Sequence, residues 1–147
     1  MTANLRKINF KLTPDEDDYP PATVESVWAL PLLDDGLFQV DNIPFFTCDA
    51  ALGDVVECKE VDGENWFSKI ITPSLNSLIR VVFFDVQLKP LISDDLKSLG
   101  CLTEYFEKFG LLAISVPPTV QLSSIQEYLQ DQAAKGGVDY EEAILRQ

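Results

Sequence analysis

The chain has 147 residues, 46% hydrophobic and 24% charged; this is globular composition, long enough for one domain, and it excludes wholesale disorder. It carries 24 acidic and 11 basic residues, a net charge of −13, which repels phosphate backbones and argues against nucleic-acid binding. There is no histidine, so Ser-His-Asp triads, Cys-His dyads and His-containing zinc sites are excluded.

The charge is unevenly spread. Eleven acidic residues and no Lys or Arg occupy Leu12 to Cys58, while the remainder of the chain is nearly balanced. Such an imbalance describes what a surface attracts, and it points to a basic partner.

Met1 to Leu12 alternates polar and apolar residues and is expected to form a short strand. It lacks the apolar core of a signal peptide, and no segment reaches the roughly 18 apolar residues needed to cross a bilayer. A cytoplasmic protein without membrane contact is expected. Thr13-Pro14-Asp15-Glu16-Asp17-Asp18-Tyr19-Pro20-Pro21 reads as an acidic loop. Thr13 and Glu16 have capping-box spacing and Pro14 suits a first helical position, so a single helical turn is expected within it.

Val24 to Leu33 predicts a strand, and Asp34-Asp35-Gly36 a hairpin into Leu37 to Val40. Asp41-Asn42-Ile43-Pro44 predicts a turn or bulge whose Asx side chains bond nearby amides. Asp54, after Gly53, is expected to secure the start of a strand over Val55 to Val61. Asp62-Gly63 then turns the chain into Asn65 to Ile71. Trp28, Phe45, Phe46 and Trp66 lie in hydrophobic patterns and are expected in the core.

Ile79 to Val86 is nearly continuous in apolar residues, as in a strand buried on both faces. Ser93 is placed as the N-cap of a helix over Asp94 to Leu99. Cys101 to Phe106 reads as a strand, with the alternative that Gly100 lies inside one longer helix. Glu107 to Gly110 forms a turn into a strand over Leu111 to Val116. Leu122, Ile125, Leu129 and Ala133 trace one face of a helix stopped by Gly136-Gly137. The last strand signal, Val138 to Tyr140, is the weakest. The expected class is α+β: an antiparallel β module over 1–75 packed on a ferredoxin-like βαββα(β) half over 76–147, in a single compact unit.

Trp28-Ala29-x-Pro31, Asp41-Asn42-Ile43-Pro44-Phe45, Gly53-Asp54-Val55-Val56, Leu99-Gly100-Cys101 and Ala113-x-x-Val116-Pro117 together form an ordered set. In order and spacing they resemble a bacterial family of small proteins known as a domain of unknown function, over roughly residues 23 to 142. The resemblance carries no catalytic residues. It implies a bacterial cytosolic protein of the size and style of the immunity proteins that accompany polymorphic toxins. The acidic loop from Thr13 to Pro21 precedes the resembling region.

Several chemistries can be weighed on these residues. Asp15 to Asp18 lack the spacing of a calcium loop, and four consecutive carboxylates cannot all face one ion, so no metal is expected. Cys48, Cys58 and Cys101 are widely spaced and read as buried thiols. A catalytic pair would have to come from Asp41, Asp54 and Glu57, and no spacing selects one. The leading expectation is therefore a non-enzymatic protein without a cofactor that neutralises a basic toxin domain. Asp15, Glu16, Asp17, Asp18, Asp34 and Asp35 would supply steering and rim contacts, and Tyr19 an aromatic anchor. The alternative is a small ligand-binding or regulatory domain with a pocket between its halves.

Overall fold

A computed structural model describes residues 4–147, which form nine strands, two α-helices and two single 3₁₀ turns. They divide into two compact units, Met1–Ser74 and Leu75–Gln147, each with its own hydrophobic core. The fold is mixed, with two largely antiparallel sheets.

The first unit is a closed five-stranded barrel in the order β1-β2-β3-β4-β5. Its strands are β1 (Arg6–Lys11), β2 (Val24–Pro31), β3 (Leu37–Val40), β4 (Val55–Val61) and β5 (Glu64–Thr72). Neighbours run antiparallel, except that β1 and β5 close the barrel by a short parallel contact, Ile8 opposite Asn65 and Asn9 opposite Trp66. Strand alternation explains the interior: Ile8, Phe10, Val27, Ala29, Phe38, Val40, Val56 and Cys58 are buried together. Phe10 stacks on Phe67 with ring centroids 4.8 Å apart.

The Asp62-Gly63 hairpin forms as expected. Both residues take positive φ, 53° and 81°, the two-residue geometry whose twist matches the flanking strands. At the β2–β3 hairpin the strand ends at Pro31, two residues early, and 32–36 form a longer loop that leaves Leu33 fully exposed. The acidic loop holds a simple turn at Glu16-Asp17 and no helical turn. Asp15 overrides the capping box there, because its carboxylate accepts from the N–H of Asp17 (2.9 Å) and of Tyr19 (3.1 Å).

The second unit contains β6 (Ser77–Phe83), α1 (Lys89–Ser98), β7 (Leu102–Phe106), β8 (Leu111–Val116), α2 (Leu122–Ala134) and β9 (Val138–Ile144). Its sheet has the order β7-β8-β6-β9, with every neighbouring pair antiparallel. Ile79, Val81 and Phe83 of β6 and Leu112, Ile114 and Val116 of β8 form one core with Ile92 and Leu96 of α1 and Leu122, Ile125 and Leu129 of α2. Leu78, Arg80, Leu111, Ala113 and Ser115 on the other face are buried too, as the continuous apolar run predicted. Arg80, in central strand β6, pairs with Glu141 of β9 directly opposite it, Nε to Oε1 at 2.6 Å.

Two expectations are corrected here. Strand β6 stops at Phe83, and Val86–Leu88 form a 3₁₀ turn capped by Asp85, whose carboxylate accepts from the Gln87 amide. Helix α1 then begins at Lys89, so Ser93 is a buried interior residue and not the N-cap. Pro90, which needs no donor in the first turn, accounts for the early start. The helix ends in a paired cap: Cys101 N–H bonds Leu96 O and Gly100 N–H bonds Lys97 O, both at 3.0 Å. That cap excludes the single longer helix. The final strand, weakest in sequence, pairs with β6 from Leu78 to Phe83.

Candidate functional site

Glu25 and Asp54, two of the eleven acidic residues of the 12–58 stretch, are buried and hold backbone. The Glu25 carboxylate accepts from three consecutive amides, Phe45 (2.6 Å), Phe46 (3.0 Å) and Thr47 (2.8 Å). It thereby shapes the loop between β3 and β4. Nothing in the sequence singled it out, because a Glu alternating with apolar residues reads as the outward side of a strand. Asp54 accepts from Ala51 N–H (2.9 Å) and Ser74 N–H (2.7 Å), the structural role expected of it. Asn42 Oδ1 accepts from the Trp28 amide at 2.6 Å, a long-range bond to β2 where a local Asx bond was expected. Glu57 lies 3.5 Å from Lys69, a surface pair of little energetic weight.

Six of the remaining acidic residues lie at two separate places. Asp15 to Asp18 precede β2, and Asp34-Asp35 follow it. Eight residues at about 3.3 Å each put roughly 25 Å between the two ends of that strand. The two groups are therefore not brought together. At the first end Asp15 is committed to its own loop, Asp18 holds a left-handed conformation at φ 57°, and Tyr19 is 44% exposed and edge-on to Phe46.

At the second end the pairing assembles something the sequence did not reveal. Leu37 faces Glu57, and Cys58 N–H bonds Gly36 O at 2.8 Å, so β4 runs alongside the β2–β3 loop towards its own turn. Both hairpin tips emerge at this end: Asp34-Asp35 with exposed Leu33, and Glu60, Asp62 and Glu64 with half-exposed Val61. Glu60, Asp62 and Glu64 were missed because they lie outside the basic-free stretch. The Asp62-Gly63 turn signal would have found them.

The outer wall of the barrel differs in character. Trp28, expected in the core, is 47% exposed, because β2 alternates and Val27 and Ala29 take the inward positions. Lys7, its cross-strand neighbour, places Nζ 5.3 Å from the indole centroid. Trp66 also lies on the outer side, opposite Lys59, with Lys11 Nζ 6.0 Å from its ring. Around Trp66 lies an open groove of about 740 Å³, lined among others by Lys11, Asp49, Lys59, Asp62 and Glu64.

The cysteines separate by environment. Burial raises the Cys58 thiol to about 11, with the neighbouring Glu57 charge adding to it, and burial alone raises Cys101 to about 11. Cys48 is exposed, which corrects the expectation of three buried thiols. Among the described residues no group of three or more His, Cys, Asp or Glu could hold a metal ion, and no helix is long and apolar enough to cross a membrane.

One solved structure, described as "Novel crystal structure of a hypothetical protein from Neisseria gonorrhoeae", is similar over 100% of this chain and 97% of that chain, with a TM-score of 0.77 and 22% sequence identity. At that identity the likeness establishes the fold alone. No curated protein matches. The family described as "Domain of unknown function (DUF4265)" matches residues 25–140, most of the chain. The chain belongs to that family.

Proposed function

We propose that the protein is a non-enzymatic binding protein that neutralises a basic protein partner, as immunity proteins of toxin systems do, and that it acts in the cytoplasm. The observation that carries this reading is the convergence of two acidic hairpin tips at one end of the barrel. Five carboxylates, Asp34, Asp35, Glu60, Asp62 and Glu64, stand at that end together with exposed Leu33 and Val61. Carboxylates steer a basic partner and bond its Arg and Lys side chains, while a central apolar contact supplies slow dissociation. The hairpin end supports this better than Asp15 to Asp18, where Asp15 is already engaged. The engagement of Asp54 and Glu57 with other groups supports a non-enzymatic role over a carboxylate pair. We also assign the second unit to the ferredoxin-like class, on its βαββαβ order and the β7-β8-β6-β9 sheet with both helices in one core.

The test is stopped-flow association with the product of the neighbouring gene at low and physiological salt. The expected result is a rate that falls steeply with salt and falls about tenfold in the quadruple variant D34N/D35N/E60Q/D62N at low salt. L33A should raise the dissociation rate with little change in association. Salt-independent association, or quadruple-variant kinetics equal to the parent's, would refute the reading.

A further inference from the structure

The groove around Trp66 shares Val61, Asp62 and Glu64 with the hairpin end but adds an indole and two lysines, and its use requires no protein partner. Three observations bear on what it holds. Its volume, about 740 Å³, is that of a small-molecule site. Its aromatic floor is not needed by the barrel: the core is complete with Phe10, Phe67 and the aliphatic residues, and Trp66 stands on the outer side. Finally, all five basic residues of a unit that has fourteen acidic ones lie on strands β1, β4 and β5, and two of them, Lys11 and Lys59, line this groove. The groove thus sets two ammonium groups beside the carboxylates of Asp49, Asp62 and Glu64.

A flat indole asks for a planar ring, and two ammonium groups ask for one compact anion. The carboxylates of Asp49, Asp62 and Glu64 accept hydrogen bonds from amino and hydroxyl donors, and they repel any second or third phosphate. A ligand with a planar ring, hydroxyl and amino donors and a single phosphate meets all three demands. We infer that the groove binds a nucleoside monophosphate, with the base stacked on Trp66 and the phosphate between Lys11 and Lys59. Lys11 leaves the ring face to reach the phosphate, a rotation about its flexible stem. A nucleic-acid strand would bring further phosphates against the acidic rim and against a net charge of −13.

The chain has two tryptophans, so W28F leaves Trp66 as the sole indole reporter. Titrating full-length W28F with adenosine and uridine 5′-monophosphates should quench its fluorescence saturably, with inorganic phosphate as a weak competitor. K11Q and K59Q, both at exposed positions, should each weaken binding about tenfold while leaving circular dichroism unchanged. W66L, followed by calorimetry, should lose binding and keep its fold. Quenching that does not saturate in the millimolar range, or that is unaltered by both lysine variants, would overturn the site. Tighter binding of a ten-nucleotide strand with a steep salt dependence would overturn the mononucleotide assignment.

Discussion

Glu25 shows how one side chain can set a loop. Its carboxylate accepts from the amides of Phe45, Phe46 and Thr47, which lie between strands. E25A strands those donors in a partly buried setting and is expected to cost about 2–4 kcal/mol, read from the urea midpoint. Hydrogen exchange should accelerate at residues 45–47 before it does in the β6–β8 ladder. The thiols give a second residue-scale prediction. Cys58 and Cys101, raised to about 11 from an ordinary 9, stay protonated in the folded chain where the unfolded chain ionises. The folded state then holds more protons, so stability is full below pH 9 and falls as pH rises from 9 to 11, by about 2 kcal/mol per thiol. Replacing both with Ala or Val should flatten that segment of a stability-against-pH curve. At pH 8 a thiol reagent should titrate one cysteine of the native chain quickly and two more only after denaturation.

Among the elements, the close of α1 is the most sharply specified. Gly100 sits at φ 105°, and a Cβ there would meet Val120 Cγ2 at 2.7 Å. G100A combines backbone strain with that collision and should cost about 1–3 kcal/mol, measured by thermal or urea unfolding. This stop was legible in sequence because a glycine after a periodic run has one common use. The start of α1 was not: Ser93 is a good cap by type, but Pro90 and the Asp85-capped 3₁₀ turn had already set the chain on a helical path. The same contrast separates the two hairpins. Asp62-Gly63 reads directly as a two-residue turn, whereas the five-residue loop at 32–36 depends on where Pro31 meets Phe38 across the ladder. Trp28 was misplaced for a related reason, since the phase of a strand's alternation is set by its partners and β2 presents apolar residues on both sides.

Over the whole molecule, the sequence carried the amount of negative charge but not its arrangement. A count along the chain grouped Asp15 to Asp18 with Asp34-Asp35; the barrel puts them at opposite ends of β2 and brings Glu60, Asp62 and Glu64 beside the latter. Burial removed Glu25 and Asp54 from the acidic surface available to a partner. The five basic residues of the barrel, scattered in sequence, share three strands once β1 closes against β5 by its parallel contact. Closure is a long-range event with no local signature, which is why neither the wall nor the groove could be read in advance.

Cys48 turns this geometry into a ruler. It is exposed and lies in the loop after β3, at the end of β2 where the 12–23 loop lies and away from the Asp34-Asp35 tip. A donor dye attached there needs no engineered position. An acceptor carried by a bound partner would transfer energy strongly from the Asp15–Asp18 end and more weakly across the length of β2 from the Leu33 end. One native thiol thus distinguishes the two docking ends by colour.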